Sequence, residues 1–106
     1  MKGVFWKMKE ITVSTWDGDI KTKGECLSKE LVWSRNVEER THLNAGLHTT
    51  KQVPTDYYQE TWLINGKEIK LHNYETAAGV SYQLDTSDFD VDDYDGPNAL
   101  IAAMKN

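Results

Sequence analysis

A chain of 106 residues has enough material for one hydrophobic core and too little for two, so a single domain spanning residues 1–106 is expected. Hydrophobic residues at 39% and charged residues at 27%, with four Trp and five Tyr, argue against global disorder. No apolar run approaches the roughly 20 residues of a membrane helix, so no membrane partner is expected. The net charge of −5 is concentrated in one place. Twelve basic side chains stand against 17 acidic ones, and without the six aspartates between Asp85 and Asp95 the balance would be 12 against 11.

The start, Met1 to Lys9, has positive charges but lacks the apolar run and cleavage site of a secretory signal. With the lone Cys26, which has no internal disulfide partner and is expected to pack as a small hydrophobe, this points to a reducing, cytoplasmic location.

Asp17-Gly18 lies between two strand-like runs, Lys9–Trp16 and Asp19–Leu27, and predicts a hairpin with Trp16 opposite Asp19. Ile11, Val13 and Thr15 then share a buried face with Ile20, Thr22 and Cys26. The wet face receives Glu10, Thr12, Ser14, Lys21, Lys23 and Glu25. Lys29–Ser34 reads as a further strand, Asn36–His42 as a short helix capped by Asn36, and Asn44–Pro54 as a loop without clear period.

Asn65-Gly66 predicts a second hairpin that opposes Ile64 to Lys67, Trp62 to Ile69 and Tyr58 to Asn73. In that register His72 falls on the exposed side. Gly79–Leu84 alternates Val80, Tyr82 and Leu84 as a strand. Gly96–Lys105 reads as a helix of two to three turns, with Pro97 first, a Leu100/Ile101/Met104 stripe and a terminal cation. The expected fold is therefore α+β: a mostly antiparallel sheet built from two hairpins plus extra strands, with a short C-terminal helix packed on it.

The acidic run carries the functional expectation. If Asp88–Asp92 is extended, Asp88, Asp90 and Asp92 form a row spaced by ~6.6 Å, and Phe89 and Val91 face the other way as an anchor. Such a row repels itself unless it meets cations. Asp85, Asp88, Asp90, Asp92, Asp93 and Asp95, with contact area from Phe89 and Tyr94, are the candidate partner-binding residues. The row would suit a basic protein, such as a nuclease or another nucleic-acid-binding protein, whose groove normally receives phosphates; direct nucleic-acid binding is disfavoured by the same field. Inhibition by occlusion or nucleic-acid mimicry is the expected function. Immunity proteins of nuclease toxins and phage-encoded inhibitors of bacterial defence share this size and charge range, a class-level analogy.

A calcium-loop reading of Asp88-x-Asp90-x-Asp92 fails at its sixth position, Asp93 in place of Gly, and at its twelfth, Ala99 in place of Glu. The sequence offers no nucleotide, nucleophile or zinc motif, so neither metal nor cofactor is expected. Two alternatives remain in view: a small hydrolase or RNase-like enzyme using His42 or His48 with Glu39, and an assembly subunit that pairs through hairpin edges, a homodimer being its simplest form.

Overall fold

A computed structural model describes residues 8–42 and 46–106. Its elements are β1 (Lys9–Thr15), β2 (Gly18–His42), β3 (His48–Ile64), β4 (Lys67–Thr76), β5 (Gly79–Leu84) and α1 (Asp95–Lys105). Each strand pairs antiparallel with the next. A short parallel contact, Val13 to Tyr82 and Ser14 to Gln83, then joins β1 to β5 and closes a five-stranded barrel. Strand makes up 67% of the described residues, and the mostly antiparallel sheet with one short C-terminal helix is the expected α+β architecture.

The β3–β4 hairpin has the predicted register at all three positions. Asn65 and Gly66 take φ of 50° and 81°, the paired left-handed conformation of a type I′ turn, which Asn-Gly accepts at little steric cost. The first hairpin keeps its predicted faces, but its register differs: Thr15 opposes Gly18 and Val13 opposes Ile20. Only Gly18 has a positive φ there, so the turn itself is Trp16-Asp17 and Gly18 begins the return strand. Because the shift keeps odd residues opposite even ones, the alternation survives: Ile11, Val13, Ile20 and Thr22 are buried, whereas Thr15 is half-buried and Cys26 exposed.

Two expectations are overturned. Asn36–His42 is not a helix but the end of β2, and most of the expected loop, from His48 to Pro54, is the start of β3. Part of that loop, residues 44 and 45, lies outside the described residues, as does Trp6. Neither segment has an apolar face of 3.6-residue period, and each finds backbone partners in the other, from Asn36 opposite Pro54 to His42 opposite His48. The paired segments form a ribbon beyond the barrel, and the molecule is 55 Å long. Register shifts at Leu27 and Val32 bend β2 where it leaves the barrel wall.

Ile11, Val13, Ile20, Trp62, Ile64, Ile69 and Leu71 fill the barrel, and Leu100, Ile101 and Met104 of α1 close one end of it. Full burial of each large side chain contributes about 1.5–3 kcal/mol, more than a helix this short gains from its own hydrogen bonds. Asn65 Nδ2 donates to the Ala103 and Asn106 carbonyls at 2.8 and 2.6 Å, so the β3–β4 turn satisfies acceptors that the helix end leaves open. Helix α1 begins at Asp95, two residues before Pro97.

Glu60 is a buried carboxylate within this apolar interior. It accepts from Trp62 Nε1 at 2.7 Å, from Asn73 Nδ2, and from the Cys26 thiol at 3.6 Å. Cys26 is therefore not a buried hydrophobe: its residue is exposed, and burial of the sulfur, followed by the Glu60 charge, pushes its pKa up and keeps it a donor.

Glycine positions separate two kinds of constraint. A Cβ on Gly24 would lie 2.6 Å from Ile64 Cγ1 and 2.7 Å from the Leu63 carbonyl, whereas Gly66 has open space and only an unusual φ. In urea unfolding, Gly24→Ala is expected to cost about 1–3 kcal/mol through overpacking, and Gly66→Ala about 1–2 kcal/mol through its left-handed backbone alone. Gly24→Ala should also cause the larger change in near-ultraviolet circular dichroism, because Trp62 lies 3.3 Å from the same position.

Candidate functional site: an acidic knuckle beside an aromatic cleft

The segment after β5 is not extended. Two successive turns, with Phe89 N–H donating to the Thr86 carbonyl at 3.1 Å and Asp93 N–H to the Asp90 carbonyl at 2.9 Å, fold it into a knuckle that runs into α1. The alternating row of Asp88, Asp90 and Asp92 is consequently not formed. Charge density is retained in a more compact shape.

The eight residues expected to bind a partner divide into anchors and a presented surface. Asp85 is only 4% exposed and does not belong to that surface. Its Oδ1 accepts the Ser87 N–H at 2.8 Å, its Oδ2 accepts Gln59 Nε2 at 3.2 Å, and His72 Nε2 lies 3.5 Å away. Burial alone would push the Asp85 pKa up; the hydrogen bonds from the Ser87 hydroxyl and backbone and from Gln59, with His72 alongside, outweigh it and hold the carboxyl below its ordinary value. Phe89 is half-buried against the core and serves as the second anchor.

Asp88, Asp90, Asp92, Tyr94 and Asp95 are exposed, and Asp93 is partly so. Asp88 pairs with Lys70 at 2.8 Å, and Asp93 Oδ1 accepts the Gly96 N–H at 3.1 Å, an arrangement that steadies the start of α1. Among the described residues, Asp90, Asp92 and Asp95 form no ion pair. Val91, at the tip, is 91% exposed, which makes it the most exposed large apolar side chain described.

Trp16 completes the site, and no signal in the sequence points to it. It lies at the β1–β2 turn, donates from Nε1 to Asn98 Oδ1 at 3.0 Å, and packs on Tyr94 with ring centroids 5.5 Å apart. A cleft of about 460 Å³ opens between Trp16, Phe89 and Pro97 on its apolar side and Asp90 and Asp93 on its acidic side. Nothing in the spacing of the chain links residue 16 to residue 90. Their proximity follows from β1 and β5 running parallel, which brings both strand ends out of the barrel together.

His72 is half-buried, contrary to its expected exposure. Its Nδ1 meets Tyr57 Oη, while its Nε2 faces Asp85. Tyr57 in turn stacks on Tyr74 at 4.8 Å and packs against Trp33 at 5.4 Å. Burial, then Tyr74 and Asp85, push the Tyr57 pKa up, which favours the neutral phenol at the end of the row Asp85–His72–Tyr57. The acid-base expectation for His42 and His48 concerns side chains outside the described residues. Among the described residues, no three His, Cys, Asp or Glu side chains gather as metal ligands, and no helix is long and apolar enough to cross a membrane.

No protein-family profile, curated protein or solved structure matches this chain. The site's own chemistry is therefore the basis for assigning a role.

The depressed Asp85 pKa has a signed consequence. Below the ordinary carboxylate range the unfolded chain takes up a proton that folded Asp85 refuses, so the Asp85 contribution is present above about pH 4 and is lost as pH falls through the lower folded value. Glu75, lowered chiefly by the hydrogen bond from Lys29, acts in the same direction. Urea midpoints measured between about pH 5 and about pH 2 should fall with pH, and Asp85→Asn should flatten part of that fall. An unchanged slope in the variant would show that Asp85 is not held as described.

Proposed function

We propose that this protein is a small acidic binding module that captures a basic, nucleic-acid-handling protein and occludes its cationic surface, in the manner of phage anti-defence or toxin-immunity inhibitors. The observation that carries this reading is the cleft between Trp16 and the knuckle. An apolar wall beside carboxylates suits the two parts of a Lys or Arg side chain: the stem packs on Trp16 and Phe89 while the cationic head reaches Asp90 and Asp93. Asp88, Asp92 and Asp95 around it would steer a basic partner to the site, and Tyr94 and Val91 would slow its departure. A partner of this kind works where nucleic acid is handled, which favours the cytoplasm. The mechanism is steric: no bond is made or broken.

Steering charges and apolar contacts predict different kinetic effects. Asp90→Asn, Asp92→Asn and Asp95→Asn together should weaken binding of an arginine-rich peptide about tenfold and lower its salt dependence, mainly through the association rate. Trp16→Ala should act on dissociation, at a cost of about 2 kcal/mol. Surface plasmon resonance across a salt series separates the two. With the protein as bait in a host extract, a basic protein released by rising salt is the expected partner; equal capture by the triple variant would refute the assignment.

A further inference from the structure

The end of the molecule away from the knuckle carries a second surface. There, among the described residues, the β2–β3 ribbon stands as two strands alone, and every residue from Ser34 to Thr41 is exposed. Two-stranded hairpins are marginal in water, and three or more strands with an apolar face are needed for independent stability. Among the described residues nothing pairs with the outer edge of β2 beyond Gly24. The outer edge of the facing part of β3 contains Pro54, which lacks an N–H to donate and is a usual device for blunting an edge. The open edge of the ribbon is therefore that of β2.

From the charge and face pattern of this edge we infer that two copies of the protein associate through antiparallel pairing of their β2 strands, with the two-fold axis at Val37. One face of the ribbon bears Trp33, Arg35, Val37, Val53 and Thr55 and forms, with Tyr74, a groove of about 370 Å³. A two-fold that opposes odd residues to odd residues places both copies of this face on the same side of a four-stranded sheet; a shift by one residue would turn one face over. Among registers of that kind, an axis at Val37 opposes Arg35 of each copy to Glu39 of the other. An axis at Asn36 pairs Arg35 with Val37, and an axis at Glu38 sets Glu38 against itself. Within one copy neither Arg35 nor Glu39 forms an ion pair among the described residues, although Lys51 is the cross-strand neighbour of Glu39. Arg35 instead lies over the Trp33 ring at 4.0 Å, with its guanidinium toward the groove. Opposite charges facing each other on paired strands stabilise the pairing, and like charges oppose it.

Charge reversal provides a test in which two defects repair each other. Sedimentation equilibrium should show a concentration-dependent dimer for the wild type, whereas R35E and E39R should each be monomeric, because each sets like charges across the axis. Mixed one to one, they should form a heterodimer, since a glutamate of the R35E copy then faces an arginine of the E39R copy on both sides of the axis. Circular dichroism verifies that each variant folds. In a Cys26→Ser background, Val37→Cys should oxidise to a disulfide-linked dimer, being its own opposite residue, and Val53→Cys should not. A wild type that remains monomeric up to about 1 mM, a mixture of folded variants that remains monomeric, or preferential cross-linking at position 53 would each overturn the inference. Binding of the arginine-rich peptide by monomeric R35E distinguishes failure of this interface from failure of the acidic site.

Discussion

The parallel contact between β1 and β5 is two residue pairs long, and the shape of the protein depends on it. Antiparallel strands in sequence could form an open meander; this contact turns the meander into a barrel with a sealed interior. Because the two strands run in the same direction, the chain must leave both of them at the same end. Trp16 comes directly after β1 and Asp85 directly after β5, so the geometry of the sheet brings together an aromatic wall and an acidic knuckle separated by about seventy residues of sequence. The helix then seals that end: Leu100, Ile101 and Met104 cover the core while Asn98 holds the Trp16 indole and Pro97 lines the cleft.

The parts of this arrangement legible in the chain are those governed by local backbone chemistry. Asn65-Gly66 determines its hairpin to the residue because both positions need a left-handed conformation that few other pairs accept. Asp17-Gly18 has the same appearance but only one positive φ, so alternation still identifies the buried face while the register slides. The ribbon is illegible for the opposite reason. Val37 and Val53 are surrounded by polar residues, and their strand conformation is imposed by each segment pairing with the other, an interaction at a distance that no window of the sequence contains.

The acidic site shows the same division. Its charge is evident from composition, and its two anchors are not. Asp85 looks like one more carboxylate in a run, yet burial and three hydrogen-bond donors, with His72 alongside, make it an interior residue, while Phe89, Thr86 and Asp90 supply the packing and turn bonds that fold the others outward. Alternation presupposes a strand, and a segment that leaves a barrel and enters a helix within ten residues has to turn. Composition therefore locates the charge, whereas parity along the chain misplaces the individual side chains that carry it.

Glu60 indicates why so small a barrel tolerates a buried carboxylate. Trp62, Asn73 and Cys26 lie on three adjacent strands, and each donates to it, so the charge ties β2, β3 and β4 together at the point where β2 bends out into the ribbon. Lys29 stands nearby, paired with Glu75 at 2.8 Å and placed over the Tyr58 ring at 4.3 Å, so compensating positive charge sits at the same barrel mouth. An apolar residue in place of Glu60 would leave the buried Trp62 Nε1 without its acceptor, whereas Cys26 and Asn73 would keep the Ser28 carbonyl and Glu75 as theirs. The hydrogen bonds are directional where apolar packing is not, and they lie beside the first register shift of β2, between Cys26 and Ser28. The polar mouth and the apolar, helix-sealed end thus divide the barrel between them: one end orients an exposed β2 edge, and the other holds carboxylates around an aromatic cleft.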